Sequence, residues 1–292
     1  MSRTGDRSSN QTRLLSIEIN QLDRADGSGR FAFGSNAVLA SVSGPLEVRL
    51  SKESPYRSTL EITHRPLSSM SCLPSRSFVT TLEHVLFPVL ELEKFPRSMT
   101  QLVIQSLVPE SKREVYGQIQ VEREEQRAWP ASAIELDEYT LDQKKREALI
   151  SPASGLTFVS KAAGINAATL ALLSAGSIPM KGLPIAVAYC VSVQDELLLD
   201  PTEEEERKAR ARFGFGWVWG TGVASTHVKA GEMEVDNQTD GRDGELVWAE
   251  GEGSFSQTEW NEALELSKSA SAQVLETIRS ALGQYLATHQ LA

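Results

Sequence analysis

The sequence LDRADGSGRF at residues 22–31 has the composition of a tight turn between two β-strands. Its Asp26-Gly27 pair tolerates the positive φ angles that hairpin turns require. Apolar or alternating segments lie around it, at 14–19, 30–33, 37–42, 46–50 and 60–63. This spacing predicts an antiparallel meander of about five strands in the first part of the chain.

Beyond residue 65, helical and extended patterns alternate along the chain. Alanines at 163, 167, 171 and 175 lie on one side of a predicted helix, so that side can approach a neighbouring element closely. The aromatic strand at 213–219 is expected to pack in the core rather than stack on bases. The whole pattern predicts an α+β fold in which mixed sheets pack against helices. The predicted helices are 77–92, 156–175, a short acidic helix beginning at 201–206, and 256–289; the predicted strands are 99–107, 184–193, 196–199, 212–219 and 245–251.

Charge is distributed unevenly along the 292 residues. The net charge is −10, yet residues 1–100 carry 12 basic and 10 acidic side chains and the remainder carries 17 and 29. The negative net charge argues against a protein that binds nucleic acid over its whole surface. A basic strip formed by the first 100 residues is still compatible with this charge distribution. Residues 1–13 are predicted to be a disordered tail and residues 109–151 a charged insertion. The rest, 14–108 and 152–292, is predicted to form a single domain.

Composition excludes several classes of protein. The longest run near the middle that is free of charge and strong polarity, 182–193, is shorter than the roughly 20 residues of a membrane-spanning helix, so none is expected. The polar start lacks the apolar segment of a secretory signal. Two cysteines, Cys72 and Cys190, cannot form a disulfide framework or a four-cysteine zinc site. The sequence therefore predicts a cytosolic or nuclear protein with no membrane partner.

The common catalytic motifs are missing from the sequence. It contains neither a GxxxxGK[ST] phosphate loop nor a GxSxG nucleophile motif. The four histidines lack the spacing of zinc ligands. The acidic run 200–206 lacks the glycines of a calcium loop and is typical of a helix N-terminus. Neither a metal nor another cofactor is predicted.

Seven motifs follow one another in a fixed order: LDRADGSGRF at 22–31, ASVSGPLEVR at 40–49, FPRS at 95–98, GINAA at 164–168, AGSIPM at 175–180, LDPT at 199–202 and ARA at 209–211. Together they resemble the motifs of the ribonuclease PH family. The motifs at 199–202 and 209–211 resemble most closely the family's branch of ring subunits in the eukaryotic RNA exosome. The resemblance implies an RNase PH-like fold, of the ribosomal protein S5 domain 2-like type.

Three positions separate this chain from the family's active members, which use phosphate to cleave RNA from its 3′ end. Where those members have a Gly-Thr-Arg phosphate loop, this chain has Val159-Ser160-Lys161. Lys161 keeps a positive charge but lacks the two-pronged guanidinium of arginine. The two family aspartates fall on Glu206 and Arg212. The resemblance therefore implies a degenerate site with no catalytic residue, and an active phosphate-dependent 3′-5′ exoribonuclease is the alternative.

The resemblance also implies contacts with RNA. Arg97 matches an RNA-contacting arginine, Arg65 and Arg76 flank a loop that faces the central pore in relatives, and Lys161 is a fourth candidate. The alternatives are that Arg97 pairs with a carboxylate of a neighbouring subunit and that the loop is merely solvated. The implied partners are other RNase PH-like ring subunits, cap subunits and single-stranded RNA. The implied location is the nucleus, including the nucleolus, and the cytoplasm.

Overall fold

The computed structural model describes residues 7–67, 71, 73–107, 156–220 and 244–289. The predicted charged insertion, 109–151, lies outside the described residues, and the division of the chain around it stays a prediction. Residues 1–6 of the predicted tail also lie outside them.

The first sheet has five strands in the order β1-β2-β3-β5-β4. Neighbours are antiparallel except β4, which pairs in parallel with β5. The predicted five-stranded antiparallel meander is therefore wrong beyond β3. Two details before that point also differ: the predicted turn residue Gly27 lies in β2 without a positive φ, and the strand predicted at 46–50 is not separate, because β3 continues to Glu47. The segment after β4 forms helix α1, and parallel strands need such a crossover because a tight turn cannot join them. The elements are β1 Leu15–Ile19, β2 Gly27–Phe33, β3 Asn36–Glu47, β4 Thr59–Arg65, α1 Leu73–Leu86 and β5 Ser98–Ser106.

The second sheet is antiparallel, in the order β7-β6-β8-β9. The predicted strands and helices of this half match the structure closely. The elements are α2 Phe158–Ala175, β6 Gly182–Val191, β7 Leu197–Leu199, α3 Glu203–Lys208, β8 Ala211–Gly220, β9 Glu245–Gly253 and α4 Gln257–His289.

Helix α2 lies between the two sheets and contacts β2, β3, β6 and β8. Its small residues permit this: Ala163, Ala167 and Ala171 are fully buried. A Cβ atom on Gly27 of β2 would lie 2.3 Å from the Ala175 nitrogen, so the helix backbone rests directly on the strand. Helix α4 covers the other side of the second sheet. In the part of the chain that is described, α2 alone is long and apolar enough to cross a membrane, and most of it is buried in this core.

The N-terminal segment departs from the predicted tail. Residues 7–13 are ordered against β7 and the residue that follows it, with Leu199 donating its N–H to the Ser9 carbonyl at 2.8 Å. Arg13 donates to the Asp200 carboxylate from its backbone N and its Nε, both at 2.8 Å. Asp200 is buried, so this segment supplies the positive charge that a buried carboxylate needs.

Candidate functional site

The first turn of α2 is closed by a carboxylate from another helix. The N–H of Phe158 donates to Glu206 Oε1 at 2.9 Å, and Glu206 is buried. Thr157 caps the same end by accepting from the Ser160 N–H at 3.1 Å. Free N–H groups at a helix start attract anions, and here one of them already holds a negatively charged side chain.

Lys161, one turn further along α2, forms an ion pair with a second carboxylate. Its Nζ lies 2.7 Å from Glu250 Oε1 on β9 and 4.8 Å from the centre of the Phe158 ring. The Trp248 indole donates to the other oxygen of Glu250 at 3.3 Å. Only 10% of the Lys161 side chain is exposed, so its charge is directed at Glu250 rather than at solvent.

A glycine makes room for this arrangement. A Cβ atom on Gly214 of β8 would lie 2.3 Å from the Trp248 ring and 2.8 Å from the Phe158 ring. The two rings stack with their centroids 6.4 Å apart over that strand. Gly214 therefore serves packing at the site, which accounts for a glycine within the aromatic strand.

Arg212 lies on β8, with 8% of its side chain exposed. Its cross-strand neighbours are Cys190 on β6 and Glu252 on β9. The Arg212 Nη1 is 4.0 Å from Glu252 Oε2. A guanidinium thus stands within the sheet at the position where the resemblance implies a carboxylate.

Helix α3 carries Glu206 and is held in place at its N-terminal end. A capping box joins Thr202 to Glu205 at its start. Just before it, Asp200 has a φ of 48°, a left-handed conformation that costs energy for residues other than glycine. The Arg13 contact holds Asp200 there, with Arg7 Nη1 at 3.9 Å from the same carboxylate. The N-terminal segment therefore helps to position Glu206.

The predicted RNA-contacting arginines lie apart from this site, on the first sheet and α1. Arg97 has a φ of 60°, is 71% exposed and has its Nε 3.5 Å from Glu53 Oε1. Arg65 and Arg76 are exposed at the end of β4 and in the first turn of α1. The parallel register pairs Thr59 with Met99 and Arg65 with Gln105. Gln105 is eight residues beyond Arg97, so Arg65 and Arg97 are at opposite ends of the sheet, about 26 Å apart at 3.3 Å per residue.

A buried histidine lies next to Arg65 on β4. The His64 Nε2 is 3.2 Å from Ser106 Oγ, and the ring packs edge-on against Phe78. Burial lowers the pKa of His64 to about 4. The side chain is therefore a neutral core residue at ordinary pH rather than an acid-base group.

Sequence reasoning missed Glu250 and Glu252. They alternate with Gly251 along β9 and share a face with Trp248. Alternating carboxylates on an edge strand are common, so the pattern carries no signal of its own. Their importance depends on Lys161 and Arg212, which only the folded sheet brings close.

Comparison with known proteins gives consistent results. The model of the 3′ exoribonuclease family, domain 1 (RNase PH), matches residues 11–177. An exosome complex exonuclease RRP46 homolog from Oryza sativa is 33% identical over 104 residues, which are 36% of this chain and 44% of that protein. The exosome complex component RRP46 of Saccharomyces cerevisiae is 32% identical over 93 residues, 32% of this chain and 42% of that protein. The match thus spans less than half the length of these two relatives.

Solved structures extend the likeness over nearly the whole chain. The crystal structure of rice Rrp46 has a TM-score of 0.68 at 22% identity and covers 96% of this chain and 100% of that one. A chain of an archaeal exosome core has a TM-score of 0.60 at 14% identity and covers 95% and 91%. This likeness confirms the fold that the motifs predicted.

Proposed function

Because the chain belongs to the 3′ exoribonuclease (RNase PH) family, we propose that it is a non-catalytic subunit of an RNA exosome ring and contributes to a channel for single-stranded RNA. Relatives in rice and yeast that carry an exosome name support the ring assignment. The proposal includes RNase PH-like ring subunits and cap subunits as partners. It also includes a location in the nucleus, nucleolus and cytoplasm, where exosome substrates would be processed or degraded.

One observation carries the non-catalytic part of the proposal: carboxylates fill the place that an attacking phosphate would need. Glu250 neutralises Lys161, and Glu206 accepts the first N–H of α2. A phosphate entering here would have to displace one or both carboxylates and would meet their negative charge. The buried guanidinium of Arg212 adds a charge opposite to the one that the resemblance implies.

Assembly tests the ring assignment. We expect the chain, co-expressed with RNase PH-like exosome subunits, to elute as one stoichiometric complex, because ring interfaces of this obligate kind bury about 2,000 Å² or more. Size-exclusion chromatography with light scattering measures the mass of the complex. The matched control is co-expression with an unrelated protein of similar size. A stable monomer that ignores the ring subunits would contradict the assignment.

Arg97 is the best placed candidate for an RNA contact. It is exposed, and the strained φ of its backbone is a feature that clusters at functional sites. We expect Arg97→Ala, in the assembled ring, to weaken binding of single-stranded RNA equally for all sequences, and Arg65→Ala and Arg76→Ala to have smaller effects. Losing one phosphate contact lowers the slope of log affinity against log salt by about 0.7. Lys94→Ala, which removes an exposed cation near Arg97, is the control; equal effects of the two variants would remove Arg97 from the RNA path.

A further inference from the structure

A small cavity opens beside the Arg97 loop, outside the site described above. It has a volume of about 370 Å³, within the range of roughly 300 to 1,000 Å³ that small-molecule sites occupy. A short 3₁₀ helix at Leu50–Lys52, the loop that follows it, the start of β4 and the end of α1 surround it. Its lining includes Lys52, Arg57, Glu83 and Phe87.

One wall of the cavity is a cation on an aromatic ring. The Arg57 guanidinium carbon lies 4.6 Å from the centre of the Phe87 ring, which is 43% exposed. Arg57 is exposed, and in the described part of the chain no carboxylate pairs with it. Lys52 adds a second positive charge, although its Nζ also contacts Glu61 Oε1 at 3.2 Å.

Glu83 gives the cavity a negative side. It precedes Phe87 by one turn at the end of α1, and the Phe87 N–H donates to its carbonyl at 2.9 Å. Residues four apart on a helix share one face, so the carboxylate and the ring border the same space. A ligand that carries negative charge alone would be repelled by Glu83. The lining instead fits a molecule with an anionic group, a flat ring and N–H donors.

We propose that this cavity binds one nucleotide of single-stranded RNA and favours bases that carry an amino group, cytosine above all, over uracil. The phosphate meets Arg57 and Lys52, the base packs against the exposed Phe87 surface, and Glu83 accepts from the amino group. Carboxylates pair in this way with the N4 amino group of cytosine, whereas uracil presents an oxygen there. The proposal rests on the proposed function in that RNA must pass this face of the molecule.

The backbone of Arg97 adjoins the loop that lines the cavity. The Arg97 N–H donates to the Ser54 carbonyl at 3.1 Å, and Ser54 lines the cavity. The Arg97 side chain pairs with Glu53, the preceding residue. A strand held by Arg97 through one phosphate would therefore place a neighbouring nucleotide at the cavity.

Fluorescence anisotropy with labelled oligocytidine and oligouridine tests the proposal, using the full chain alone and in the reconstituted ring. We expect tighter binding of oligocytidine, by about fivefold. Phe87→Ala should weaken binding of oligocytidine about tenfold, which is typical for loss of base stacking on an aromatic side chain. Glu83→Gln should bring the two affinities close together. Leu286→Ala, which truncates an exposed apolar residue on α4, is the control and should change neither affinity.

Each contrary result overturns the proposal. Equal affinities for the two oligomers in the wild-type protein would remove the base preference, and unchanged binding in both variants would remove the cavity from the RNA path. If the variants disrupt ring assembly and leave RNA affinity intact, a neighbouring subunit covers this face instead. Phe87→Leu keeps the apolar packing and separates loss of stacking from loss of folding. Failure here leaves the ring assignment untouched, because that assignment is decided by co-elution.

Discussion

No nucleoside diphosphate is expected when the full chain is incubated with an oligoribonucleotide and inorganic phosphate. Removing one preorganised group that stabilises developing charge costs about 10² to 10³ in rate, and here several positions differ at once. Glu250 pairs with Lys161, Glu206 accepts the first N–H of α2, and Arg212 stands where the resemblance implies a carboxylate. Chromatographic separation of the products with and without phosphate measures the reaction, and the reaction without phosphate controls for a contaminating hydrolase.

Two variants make this test specific to the site. Glu250→Gln frees Lys161 from its partner, yet activity should stay undetectable because Arg212 remains. Lys161→Met removes the positive charge while keeping a long side chain. If the wild-type protein releases diphosphates in the presence of phosphate, and Lys161→Met abolishes that release, then the chain is an active exoribonuclease and the non-catalytic proposal is wrong.

Asp200→Ala is expected to destabilise the protein by about 3–5 kcal/mol. The substitution leaves Arg13 without its buried partner, and breaking a buried, hydrogen-bonded ion pair on one side typically costs that much. The side chains of Asp200 and Arg13 are 2% and 12% exposed, so water cannot compensate fully. Equilibrium unfolding in urea, followed by tryptophan fluorescence, measures the change.

Two controls accompany this variant. Glu276→Ala removes an exposed carboxylate whose ion pair with Arg279 is 3.9 Å long, and it should change the free energy of unfolding by less than about 1 kcal/mol. Asp200→Asn keeps the shape and tolerates the positive φ, so it isolates the loss of charge. A loss below about 1 kcal/mol in Asp200→Ala would show that residues 7–13 are not part of the stable fold.

The sequence predicted the elements of the second half well and the fold correctly, because its motifs are long and ordered. In the first half it placed a turn inside β2, divided β3 into two strands and began the first helix four residues late. It failed for strand pairing. The alternating pattern of β4 is compatible with pairing to the strand before it or to the strand after it. Its pairing with β5 depends on the crossover through α1. Strand periodicity specifies which face is buried but not which strand lies alongside.

The site was predictable only in part, because its contacts join distant positions. Lys161, Glu206 and Arg212 were identified from the motifs, whereas the partner of Lys161 lies 89 residues away on another strand. Arg13 and Asp200 are 187 residues apart, so the sequence around Arg13 did not reveal its partner. The polar composition of the N-terminal segment alone therefore predicted a disordered tail. Composition measures whether a segment can build its own core, and this segment uses a charge that the rest of the fold provides.

The close approach of α2 to β2 has a mechanical consequence. At Gly27 and Gly29 the strand backbone meets the helix without an intervening side chain, so no rotamer change can absorb a shift of the helix. Closely packed elements move as a unit or stay in place. We therefore expect the Arg97 face and the Glu250 site to keep a constant spacing whatever binds at either one. The subunit would then act in an assembly as a stiff spacer that sets the width of an opening, rather than as a hinge that changes it.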